Sequence, residues 1–183
     1  MTPSAVKKYA LAHGIPVLQP EKLRDPEFVD TLRSIGADLF VVIAFRMMPE
    51  IVWAMPPLGT FNLHASLLPK YRGAAPINWA VINGETETGV TTFFLSHDID
   101  TGDIIDRVAA PIYPTDCVGD VHDRLMELGA RLTVATVHKI FDGTVTRQPQ
   151  SALLAGIQRT PAPKIVRETC LIDWNRPAEE IHN

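Results

Sequence analysis

Asp38-Leu39-Phe40-Val41-Val42-Ile43-Ala44 is almost wholly apolar. Such a run is expected of a strand covered on both faces by helices, as in a parallel sheet. Its surroundings alternate in type. Upstream, Thr2-Pro3-Ser4 looks like a helix start and Gly14 like its stop, and Ile15–Leu18 reads as a short strand. Asp25-Pro26 opens a second helix, with Phe28, Val29, Leu32 and Ile35 at helical spacing before Gly36. Downstream come a short helix over 49–54, a strand over 60–64, a Pro/Gly loop, and a helix over 77–83 ended by Gly84. Strands over 89–95 and 104–112 flank a tight Asp100-Thr101-Gly102-Asp103 turn. The longest helix follows over 118–141, with Val121, Leu125, Leu128, Leu132, Ala135 and Ile140 as its apolar stripe. Alternating helices and strands predict an α/β layered fold with a mainly parallel sheet.

A chain of 183 residues, 46% hydrophobic and 21% charged, has ample material for one packed core. A net charge of −4 and a pI near 5.8 exclude indiscriminate nucleic-acid coating, while leaving room for a local basic patch that meets one RNA. Cys117 and Cys170 lie far apart without CxxC partners, which points to a reducing compartment and to no structural zinc. No apolar run approaches spanning length and no basic n-region opens the chain, so the expected location is the cytoplasm and no membrane partner is expected. After Asp142-Gly143 the composition turns linker-like, with Gln148-Pro149-Gln150 and Thr160-Pro161-Ala162-Pro163. The expected division is a core over 1–147, with 148–183 a linker and the start of another domain. Both ends read as cut: the chain opens on a helix without a preceding strand, and Ile172-Asp173-Trp174 begins something it does not finish.

The chemistry concentrates in Phe61-Asn62-Leu63-His64 and the Pro/Gly loop after it. Side chains alternate across a strand, so Asn62 and His64 project from the same face. Ligands of open α/β sheets bind at the carboxyl ends of strands, where His64 and the acidic turn Ser96–Asp103 both fall. An imidazole moves protons near neutral pH, a neighbouring carboxylate fixes its tautomer, and a side-chain amide donates to a developing oxyanion. The three suit acyl-type transfer through a tetrahedral intermediate. Gly-x-Ser-x-Gly is absent, so no nucleophile elbow is present to form a covalent adduct. Each feature also has a plainer use: Asn-x-His as strand filling, Asp100 as a turn former, and Met47 and Met48 as core packing. His13, His122 and His138 read as structural or surface residues.

Taken together, Asn62 through Gly73 and Asp100-Thr101-Gly102 resemble the formyltransferases that use 10-formyltetrahydrofolate. Arg72–Ile77, Glu87–Thr91, Ala162–Ile165 and Ile172–Trp174 look most like the branch of that family acting on initiator methionyl-tRNA. The resemblance covers nearly the whole chain. It implies a Rossmann-like formyltransferase core lacking the family's first βαβ elements and its carboxyl-terminal barrel domain. It implies Asn62, His64 and Asp100 as the catalytic set, and Ser66, Leu67, Leu68 and Pro69 as the folate-binding loop. Backbone near Arg46, Met47 and Met48, with His97 and Asp98, would line the pterin pocket. The implied co-substrate is 10-formyltetrahydrofolate, with no metal, and the full-length protein would be monomeric.

Departures from the family pattern bear on the acceptor. The basic loop that reaches the tRNA acceptor stem is mostly missing, leaving Lys7 and Lys8 near its place. Lys70, Arg72, Arg147, Arg159, Lys164 and Arg167 remain as candidate phosphate contacts. The isolated chain is therefore expected to be weakly active or inactive on tRNA. The alternatives are a formyltransferase acting on an aminosugar nucleotide, a hydrolase releasing formate from the same folate, and a non-catalytic folate-binding module.

Overall fold

A computed structural model of the chain describes residues 2–44, 47–153 and 160–183. It divides into two compact units, Met1–Gly36 and Ala37–Asn183. The first holds α1 (Ala5–Ala12) and α2 (Pro26–Ser34). Ser4 Oγ caps α1 by accepting from Lys7 N, and the Asp25 side chain caps α2 by accepting from Glu27 N. Ile15–Leu18, expected as a strand, forms none. Ile15 and Leu18 are exposed there, and an extended segment becomes a strand only with a ladder partner.

The second unit contains β1 (Phe40–Ile43), α3 (Glu50–Trp53), β2 (Thr60–His64), β3 (Arg72–Gly73) and α4 (Pro76–Ile82). It continues with β4 (Glu87–Phe94), β5 (Ile104–Pro111), α5 (Val118–Phe141), β6 (Pro161–Ala162) and α6 (Ala178–His182). Its four-stranded sheet has the order β1-β2-β4-β5. The α/β class is as expected, with β1 and β2 parallel around the α3 crossover. The other two pairs of this sheet, β2/β4 and β4/β5, are antiparallel, so the described sheet is mixed. The reason is local for β4/β5: residues 95–103 turn the chain straight back, which only antiparallel neighbours allow.

Helix α5 covers this sheet. Val121, Leu125 and Leu132 join Val81, Val90 and Ala110 in one buried cluster, and Ile140 joins Phe61, Phe94 and Ile105 in another. Each such side chain contributes at most about 1.5–3 kcal/mol. The stripe differs from the periodic expectation at one place. Ala135 is exposed and Thr136 is buried instead, its hydroxyl 2.9 Å from that of Thr92 on β4. Gly129 allows close approach, since a Cβ there would lie 2.7 Å from Leu63 Cδ2 on β2. The strand that carries Asn62 and His64 is thus clamped between neighbours on both edges and a helix on one face.

Candidate active site

On β2, Asn62 sits between Val42 of β1 and Phe93 of β4, and His64 lies opposite Thr91. The alternation expected from the sequence places both on one face. Asn62 Oδ1 is buried and has no hydrogen-bond partner among the described residues. Such a group costs free energy unless something satisfies it, which makes it a candidate contact for a bound substrate. His64 is 7% exposed and stands edge-on to Phe93. Its Nε2 lies 2.8 Å from the carbonyl oxygen of Tyr71. A carbonyl only accepts, so Nε2 carries a proton. Nδ1 is left facing Asp100 Oδ2 at 3.8 Å, with the Asp100 side chain 11% exposed. That separation is an ion-pair distance rather than a direct hydrogen bond.

Both groups that face the imidazole come from residues in the left-handed region, Tyr71 at φ 59° and Asp100 at φ 54°. Neither conformation is favoured for a side-chain-bearing residue, and both are held by neighbours. Tyr71 N donates to Thr160 O, and its hydroxyl donates to Glu85 Oε1 at 2.7 Å. Burial pushes the phenol up to about 12; the hydrogen bond from Asn83 opposes this and Glu85 adds to it. Asp100 Oδ2 accepts from Gly73 N at 2.9 Å. The carbonyls of Asp100 and Gly102 accept from Gln150 Nε2 at 2.9 and 2.8 Å. Gly102 is required sterically: a Cβ there would fall 1.7 Å from Phe94 O, so the turn lies directly on the end of β4.

The Ser66–Pro69 loop is tied down from within. Ser66 Oγ donates to Lys70 O, and Thr91 Oγ1 donates to Ser66 O while accepting from Leu68 N. Arg107 donates to Leu68 O, and the Leu68–Pro69 peptide is cis. Ser66, Leu68 and Pro69 are buried and Leu67 is half-buried. Met47 and Met48 are not core: Met47 is 73% exposed, against the packing alternative, and Met48 is half-buried. His97 and Asp98 are exposed; His97 stands edge-on to Trp53, 3.7 Å from Glu50 Oε1. Arg46 and Arg159 lie outside the described residues. Among the other basic candidates, Lys70 pairs with Glu85, Arg147 lies over the Phe94 ring, and Arg72 donates to Gln150 Oε1.

Tyr71, Gly73 and Gln150 hold His64 and Asp100 in place, although the sequence does not mark them as site residues. Tyr71 and Gly73 act through backbone atoms, which no residue type announces. Gln150 sits in the stretch expected as linker, yet Gln148, Gln150 and residues 160–163 are bonded to the core. Gln148 bridges Ile104, β6 pairs with β3, and Trp79 Nε1 donates to Pro163 O. An open groove of about 550 Å³ lies elsewhere, on the outer face of α5, lined by Ala130, Arg131, Val134, Ala135 and His138. Nothing there repeats the amide, imidazole and carboxylate set. Among the described residues, no cluster of His, Cys, Asp or Glu is arranged to hold a metal ion, and no helix is long and apolar enough to cross a membrane.

Residues 2–137 match the formyl transferase family model. The chain is 61% identical over 180 residues to a methionyl-tRNA formyltransferase of Bacteroides fragilis, covering 98% of this chain and 56% of that protein. It is 49% identical to the Porphyromonas gingivalis protein of the same name, covering all of this chain and 57% of the relative. The chain thus spans little more than half the length of these relatives. Among solved structures, it is similar to the sugar 3N-formyl transferase WlaRD, crystallised in the presence of dTDP and 5-N-formyl-THF. That likeness has a TM-score of 0.73 at 24% identity and covers 97% of this chain and 60% of the other. At that identity it speaks for the fold.

Proposed function

Because this chain belongs to the formyl transferase family, we propose that it carries the reaction centre of a methionyl-tRNA formyltransferase. The reaction moves the formyl group of 10-formyltetrahydrofolate to the α-amino group of initiator methionyl-tRNA. The observation that carries this reading is the buried Asn62 Oδ1, unpaired among the described residues, on the same strand face as the buried His64–Asp100 pair. The identity of 61% to the Bacteroides fragilis relative supports methionyl-tRNA as the acceptor.

The co-substrate supplies an activated formyl carbon. The Asn62 amide has both capacities the step needs: Nδ2 donates to the oxyanion that develops as the amine attacks, and Oδ1 accepts an N–H of that amine. His64, its Nε2 proton engaged by Tyr71 O, works through Nδ1, the nitrogen on the Asp100 side. Asp100 stabilises the imidazolium and carries the proton that the amine loses and the folate nitrogen gains when the C–N bond breaks. The Ser66–Pro69 loop, with its side chains turned inward, meets the folate through backbone groups and Leu67. Met47, Met48, His97 and Asp98 border the pterin from the exposed side.

The test uses the complete gene product that contains this chain. His64→Ala and Asp100→Asn lower kcat by at least 10²-fold, the lower end of what a positioned acid–base group contributes. Folate affinity stays within a few-fold. Near-normal kcat in either variant rejects the assigned roles. Offering an aminosugar nucleotide in place of methionyl-tRNA tests the acceptor: transfer to the sugar and none to the tRNA would give the site its alternative substrate.

A further inference from the structure

We infer that Gln150 is a positioning residue for this reaction centre: its side-chain amide locks the Asp100 turn in the conformation that aims the carboxylate at His64. The inference rests on the functional reading above for its purpose, and on its own geometry for its content. Gln150 is 3% exposed, and its amide is fully used. Nε2 donates to Asp100 O and Gly102 O, while Oε1 accepts from Arg72 Nε at 3.1 Å and Nη2 at 2.6 Å. A primary amide has two N–H donors and two lone pairs, and all four are matched here.

The bonds fall on the backbone of the turn rather than on the carboxylate. Nε2 ties two carbonyls on either side of Thr101, which fixes how Asp100 enters the turn at φ 54°. The carboxylate is then free to accept from Gly73 N and face His64. Neighbouring residues of β3 therefore grip the turn at two points, Arg72 through Gln150 and Gly73 directly. The guanidinium also polarises the Gln150 amide, which strengthens its donation to the two carbonyls. A purely structural anchor for the segment after α5 would not need its donors converging on the residue that faces the imidazole.

Two substitutions separate these roles. Gln150→Met keeps the length and apolar bulk but supplies neither donor nor acceptor. Gln150→Glu keeps the acceptor for Arg72 and removes the donors. The first readout is the imidazole ¹⁵N spectrum of the complete gene product, with His64 assigned by its loss in His64→Ala. The expected result is that the His64 Nδ1 resonance in both variants moves toward its position in Asp100→Asn. The double variant Gln150→Met/Asp100→Asn then coincides with Asp100→Asn. In the complete gene product, kcat falls by about 10²-fold, the scale of a misplaced catalytic group, and KM for both substrates stays within about twofold. Should Gln150→Met fail to fold, Gln150→Glu is read alone. A His64 spectrum and kcat unchanged by loss of the donors overturns the inference, as does additivity with Asp100→Asn or a His64 spectrum indifferent to Asp100. Intact spectral coupling in a protein that transfers no formyl group supports the inference and counts against the functional reading alone.

Discussion

His64 is gripped through two residues in conformations that side chains avoid, Tyr71 and Asp100. At about 1–3 kcal/mol each, such strain persists only where the surroundings over-determine it, and such positions cluster at functional sites. Tyr71 and Asn62 predict opposite mutational signatures. Tyr71 serves the imidazole by its carbonyl, so Tyr71→Phe retains kcat within about threefold. It destabilises by about 0.5–1.5 kcal/mol because the hydrogen bonds of its hydroxyl to Glu85 and Asn83 are lost; chemical denaturation measures the loss. Asn62→Ala does the reverse. It costs about 2.7–4 kcal/mol of transition-state stabilisation, yet leaves the unfolding free energy within about 1 kcal/mol, because deleting the orphaned Oδ1 offsets the lost packing. A large fall in denaturation midpoint with normal kcat would assign Asn62 to the scaffold instead. Asn62 and His64 were legible in the sequence because a strand has a period of two. Tyr71 was not, because its contribution is a carbonyl aimed by a backbone dihedral.

Elements were legible where their pattern is their cause, and less so where a partner decides. Helix α5 announced itself by its stripe, and the structure departs from it only where Thr92 offers Thr136 a hydroxyl. Ile15–Leu18 carries a strand-like run but finds no ladder. Gln148–Gln150 and Thr160–Ala162 read as linker because Pro and Gln advertise turns, while their pairing with Ile104 and β3 depends on residues far away in sequence. The entry to α5 yields a pH prediction. Arg124 donates twice to the Asp116 carboxylate, at 2.8 and 3.2 Å, and Tyr113 N donates to it at 2.8 Å. Arg124 first, and the Tyr113 amide second, hold this carboxyl below its usual range. A carboxylate whose folded value is lowered adds stability that is complete above its unfolded value, about 3.9. That stability is lost as pH falls through the folded value. The melting temperature therefore declines toward acid once the pH falls below about 4, and Asp116→Asn flattens part of that decline. An identical acid limb in the variant would remove the pair from the pH response.

On the scale of the whole molecule, the charge distribution bears on the proposed acceptor. The net charge is −4, and Lys70, Arg124, Lys139 and Arg176 are each committed to a carboxylate, on Glu85, Asp116, Asp106 and Glu180. Arg72, which the sequence offered as a phosphate contact, has its Nε and Nη2 on Gln150. An RNA-binding face needs cations whose counterions are phosphates, and each phosphate neutralised on a duplex adds about 0.9 to the salt slope. This chain is therefore expected to bind initiator tRNA no tighter than the non-specific range of about 10⁻⁴–10⁻⁶ M at physiological salt. Its slope of log K against log salt should be shallower than about −3. The complete gene product should bind more tightly and more steeply, while the folate affinities of the two agree within a few-fold. Fluorescence anisotropy with labelled tRNA across a salt series measures the first pair, and calorimetry with a folate analogue the second. Submicromolar, methionyl-specific binding by these 183 residues alone would place the acceptor site within this chain.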